Sequence, residues 1–130
     1  MKMLSWKNYH SNVFPNNAEE FAAFTKDKNL SEEEYLTTFL GVLHNIMCNY
    51  GTDEVLVMGY APMLKMFSEL CKKYDLHELA LWLNGVRLSY EQVKPEFDEL
   101  VLKGDRERIF GLWNWVKEYD QEYWKIAPQR

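Results

Sequence analysis

The sequence predicts an all-α protein: one compact domain, 1–130, of six or seven short amphipathic helices, with an N-terminal arm over 1–15 packing on them. Three observations carry this. Helix-start signatures recur along the chain. Glycines follow the apolar-periodic runs. No alternating strand pattern finds a second strand to pair with.

The first helix spans 17–28, where Asn17 with Glu20 is a weak cap pair. The second, 32–50, opens on a full capping box. The Ser31 hydroxyl accepts from a free backbone N–H, and the Glu34 carboxylate reaches back. Leu30 and Tyr35 bracket the box as a hydrophobic staple. Glu32, Glu33 and Glu34 face the positive end of the helix dipole. Tyr35, Leu36, Phe39, Leu40, Leu43, Ile46, Met47 and Tyr50 make a wide stripe, and Gly51 ends the run. Thr37, Gly41, His44 and Cys48 form a strip of mostly small residues beside it, suited to a closely packed neighbour.

Segment 53–60 fits a short buried helix or a strand. Helix is favoured, because a lone strand has no partner. Pro62 suits the first turn of a helix over 62–74, with Met63, Leu64, Phe67, Leu70, Cys71 and Tyr74 on one face. Asp75 with Glu78 reads as a second capping box, opening 76–84, and Gly85 as its stop. Ser89 with Gln92 reads as a third, opening a short or kinked turn, because Pro95 pushes Lys94 toward extended geometry. A helix over 95–103 then ends at Gly104, and the last helix runs over 106–125. Ile109, Leu112, Trp113, Val116, Tyr119 and Tyr123 form its main face, which Phe110, Trp115 and Trp124 widen beyond half the circumference. Such a helix is either central or carries an interface.

Composition narrows the function. At 47% hydrophobic and 27% charged, the chain has the make-up of a folded globule. Its net charge of −5 disfavours direct nucleic-acid or anionic-membrane binding, which relies on basic patches. It suits a basic partner. No apolar run has signal-peptide or bilayer-spanning length, so a cytoplasmic location is expected. Cys48 and Cys71 are expected as two buried, unlinked thiols in a reducing compartment.

The chain carries five Trp, eight Tyr and seven Phe, more ring area than a core of this size needs. Trp115 lies at one border of the apolar arc of the last helix, beside Glu118 and Glu122. A tryptophan beside carboxylates has the make-up of an interface hot spot. Phe110 and Trp124, on the opposite border, are expected in the core. His44, Cys48 and Asp120 are candidates for a pocket. Asp120 breaks an apolar face, so it is either a buried functional carboxylate or the point where the last helix kinks and exposes it. The kink is the favoured reading.

His44, Cys48, Cys71 and His77 could hold zinc if they converged, but neither pair has finger spacing, so no metal and no cofactor is expected. There is no glycine-rich phosphate loop, zincin motif or nucleophile elbow. The expected function is therefore non-enzymatic: an inhibitor- or immunity-type protein docking a partially basic partner, such as a toxin domain or a nucleic-acid enzyme. In size and surface alone the chain resembles bacterial immunity and anti-host-defence proteins. Two other readings stand beside it. One is a small enzyme or ligand-binding domain with a pocket between 32–50 and 62–84. The other is a homo-oligomer, for example a homodimer, paired through the C-terminal helix.

Overall fold

A computed structural model describes Pro15, residues 17–112 and 114–127, with Ile109, Phe110 and Leu112 by backbone alone. The expected packing of the N-terminal arm lies outside the described residues, Pro15 excepted, which is buried. The described chain is all helical: α1 (Ala18–Lys26), α2 (Glu32–Asn49), α3 (Thr52–Val57), a 3-10 turn (Ala61–Met63), α4 (Leu64–Lys73), α5 (His77–Lys103), α6 (Arg106–Leu112) and α7 (Val116–Ile126). No strand occurs among the described residues, and none of their helices is long and apolar enough to cross a membrane.

The start of α2 forms as its sequence requires. Glu34 N–H donates to Ser31 Oγ at 3.2 Å, and Ser31 N–H donates to Glu34 Oε1 at 3.1 Å. The backbone donor from Ser31 holds the Glu34 carboxyl below its ordinary range. A carboxyl lowered on folding stabilises above its unfolded pKa, and that contribution is lost as pH falls through the folded value. The melting-temperature advantage of the wild type over Glu34→Gln should therefore be present at pH 7 and shrink by pH 3. A difference that does not change between the two pH values would contradict the box. Asn17 also caps α1, accepting from Glu20 N–H at 2.9 Å.

α2 is the central helix. Its residues from Phe39 to Leu43 are buried around the whole circumference, Gly41 included. Phe39 stacks on Phe67 of α4, with ring centroids 3.7 Å apart and planes 6° from parallel. Phe21 of α1 meets Tyr35, Phe39, Tyr60 and Phe67, so one fully buried ring ties α1 to the rest of this aromatic cluster. These rings fill the contact between α2 and α4. Tyr50, the last residue of the expected stripe, is exposed. α4 in turn lies along α5, where the buried Ser68 hydroxyl donates to the Ala80 carbonyl at 2.8 Å. Two small residues at that point let the helices approach closely.

Four start and stop expectations are corrected. Asp75 does not open α5. It adopts a left-handed backbone (φ 65°) and closes α4, with Leu76 N–H donating to the Cys71 carbonyl at 2.7 Å. Aspartate tolerates that conformation better than most residues. Gly85 does not stop a helix, Ser89 does not start one, and Pro95 does not interrupt one, since α5 runs through all three for 27 residues. The buried row Leu79, Trp82, Leu83 and Val86 holds the helix across Gly85. Pairs Arg87–Glu91, Lys94–Asp98 and Lys103–Glu99 at i, i+4 lie on either side of Pro95 or span it. Gly104, left-handed at φ 69°, does end it as expected. The last predicted helix is two, α6 and α7, and α7 lies against both α5 and α3.

Candidate functional site

The described structure offers two polar or open regions where function could reside. Both are on α7.

The first is where α7 meets α2 and α3, on the helices that carry the expected pocket residues. His44 and Cys48 are one turn apart on α2. His44 Nδ1 shares a 2.7 Å hydrogen bond with the hydroxyl of Tyr123, which is fully buried. The edge of the Trp124 indole also meets the imidazole, with centroids 5.6 Å apart. Burial, with Cys48 nearby, pushes the Tyr123 hydroxyl well above the ordinary phenol range. It stays a neutral phenol.

Asp120 meets the start of α3. It does not mark a kink. It is half-buried in the middle of α7, and its Oδ1 accepts from Thr52 N–H at 2.7 Å and from the Thr52 hydroxyl at 2.6 Å. The carboxylate thus caps α3 from across the fold, against the positive end of that helix. Gly51 leaves room for it: a Cβ there would lie 3.1 Å from Asp120 Oδ2. Among the described residues no hydrogen bond joins His44, Cys48 and Asp120 to one another. His44 is held by Tyr123 and Trp124, and Asp120 by Thr52.

The cysteines differ. Cys71 is buried, and burial pushes its thiol up to about 12, so it behaves as a small apolar group. Cys48 is exposed, which corrects the expectation of two buried thiols. It lies in the last turn of α2, beyond the buried stretch of that helix. Both are free. His77 is exposed and 3.6 Å from Asp75. Among the described residues no three His, Cys, Asp or Glu side chains are grouped to hold a metal ion.

The second region is a groove of about 580 Å³ between α5 and α7. Glu78, Leu81, Trp82 and Gly85 line it from α5, and Tyr119, Glu122, Lys125 and Ile126 from α7. Gly85 explains the geometry. Tyr119 rests in the notch it leaves, where a Cβ would meet the Tyr119 hydroxyl at 3.0 Å. From there Tyr119 reaches the Ser89 hydroxyl at 3.2 Å, and Trp82 Nε1–H donates to the Tyr119 carbonyl at 2.8 Å. The groove is therefore floored by fixed groups.

Its apolar wall is open. Leu81 is 70% exposed; Leu88, two turns on along α5 and outside the groove lining, is 46% exposed. Glu78, Glu118 and Glu122 enter no ion pair among the described residues.

Of the three expected partner-binding residues, Glu122 lines this groove and Glu118 is exposed one turn earlier on α7. Trp115 precedes them at the N-cap, half-buried, with its ring edge-on to Tyr119 at 5.5 Å. Trp124, expected in the core, is partly exposed. Phe110 and Trp113 have side chains outside the described residues. The sequence does not single out Leu81 or Leu88 as site residues, and it reads Gly85 only as a helix stop. Their 4, 3 spacing beside the core row Leu79, Trp82, Leu83 and Val86 was the available signal.

No protein-family model, curated protein or solved structure matches this chain.

Proposed function

We propose that the protein is a non-enzymatic binding protein of inhibitor or immunity type. Its docking surface is the α5–α7 groove, and its partner is a protein with a basic face, such as a toxin domain or a nucleic-acid enzyme. The observation that carries this reading is a leucine 70% exposed on a groove wall beside unpaired carboxylates. An apolar anchor site inside a charged rim is how interfaces concentrate binding energy. Two carboxylates, Glu78 and Glu122, and one ammonium, Lys125, line the groove, and Glu118 is exposed one turn before Glu122, so the rim favours lysine and arginine. The same carboxylates would repel their copies across a two-fold contact, which disfavours self-pairing through α7.

The test is a photo-crosslinking residue placed at position 81, with position 66 on α4 as an exposed control. In the native host, position 81 should capture one basic protein that position 66 does not. Capture of a second copy of the chain would establish the homo-oligomer instead. An equal yield at both positions would reject the groove.

A further inference from the structure

The bond between Asp120 and Thr52 ties together two helices whose partners are 68 residues apart in the chain. α3 has only six residues, and Gly51 before it offers no side-chain cap. A helix that short does not hold by itself, because nucleation costs more than its few bonds return. Its first N–H, from the fully buried Thr52, ends instead on a carboxylate of α7. The start of α3 therefore depends on α7 being in place.

α7 is in turn fastened to three helices from about one turn of its own length. The Tyr119 carbonyl accepts from Trp82 on α5, Asp120 accepts from Thr52 on α3, and the Tyr123 hydroxyl pairs with His44 on α2. A helix is stiff over one turn, so a displacement that breaks one of these bonds strains the other two. They are released together. Other contacts join the remaining helices without α7. Phe39 stacks on Phe67 between α2 and α4, and Ser68 donates to Ala80 between α4 and α5.

From this arrangement we infer that α7 and the first turn of α3 are one opening unit, locked by Asp120, which opens while α2, α4 and α5 stay folded. Domains open in such cooperative pieces at free energies below that of full unfolding. Opening withdraws Tyr119, Glu122, Lys125 and Ile126 from α5, so the groove exists only in the closed state.

The experiment is amide hydrogen exchange of the full chain, read residue by residue by NMR at a series of low urea concentrations, where reclosing outpaces exchange. Three groups are compared: Thr52, the α7 amides of Gln121 to Tyr123, and the α2 amides of Phe39 to Leu43. Thr52 and α7 should share one protection and one urea dependence, both smaller than those of α2. Phe67→Leu should speed α2 exchange at least about fivefold and leave Thr52 and α7 within about twofold, because the open state keeps the contact of α2 with α4. Asp120→Asn should speed Thr52 and α7 by one common factor of about five. Thr52 exchanging faster than α7, without urea dependence, is fraying of α3 alone and would overturn the unit. So would α7 exchanging faster than Thr52. An equal response of all three groups to Phe67→Leu would mean that α7 opens only when the whole domain unfolds, which also overturns it.

Discussion

Phe67→Ala should be among the most destabilising single substitutions in this chain. Phe67 is fully buried, stacked on Phe39, and in ring contact with Phe21 and Tyr35. Truncation removes the transfer energy of the ring and leaves a cavity lined by other rigid rings. Such a site collapses poorly, so the cost is expected near the top of the usual range, about 4 kcal/mol. A domain of this size has only about 5–15 kcal/mol of stability in all. Chemical denaturation should show a midpoint shift of that size with little change in slope, and the melting temperature should fall by roughly 15 °C. Phe67→Leu should recover much of the loss, since it refills most of the volume. A loss below about 1.5 kcal/mol for the alanine variant would mean that the aromatic cluster is not the structural centre.

Asp120→Ala is expected to cost about 3 kcal/mol for a different reason. Thr52 is fully buried, and both its N–H and its hydroxyl end on Asp120 Oδ1. Removing the carboxylate leaves the N–H, and a hydroxyl that has only the Met47 sulfur at 4.0 Å, without a strong acceptor. Hydrogen bonds to a charged acceptor are about twice as strong as neutral ones. Asp120→Asn keeps a carbonyl oxygen at the same place, so its loss should be the smaller, about 1 kcal/mol. Equilibrium unfolding of the wild type, Asp120→Asn and Asp120→Ala should rank them in that order of falling stability. If Asp120→Ala matches the wild type within about 0.5 kcal/mol, the cap across the fold contributes nothing.

The contrast between Ser31 and Asp120 shows what was legible in the sequence. The Ser31–Glu34 box closes within three residues, so a local pattern contains both partners. Asp120 and Thr52 are 68 residues apart, and nothing near either one names the other. Asp75 and Ser89 carry the same local signature as Ser31, yet neither opens a helix. The backbone of Asp75 turns left-handed to end α4, while the Ser89 hydroxyl goes to Tyr119 on another helix. Packing along the α4 and α7 sides of α5 outweighs a cap worth about 1 kcal/mol.

Gly85 taught the same lesson in reverse. A glycine after an apolar run reads as a stop, but here it makes room for a ring. The candidate site was legible only in part. Glu122, singled out for its charge, lines the groove, and Glu118 lies outside the lining. The groove beside Leu81 depends on how α5 and α7 lie together, and α7 is a separate helix within what reads as one.

The docking groove rests most directly on one paired measurement on Leu81→Asp, using the protein captured by crosslinking at position 81. The melting temperature of the variant should stay within about 2 °C of the wild type, because an exposed side chain contributes little to folding. Its Kd for the captured partner should weaken by a factor equivalent to about 2 kcal/mol, or roughly thirtyfold. Unchanged affinity in a variant that melts like the wild type would contradict the groove as the binding surface.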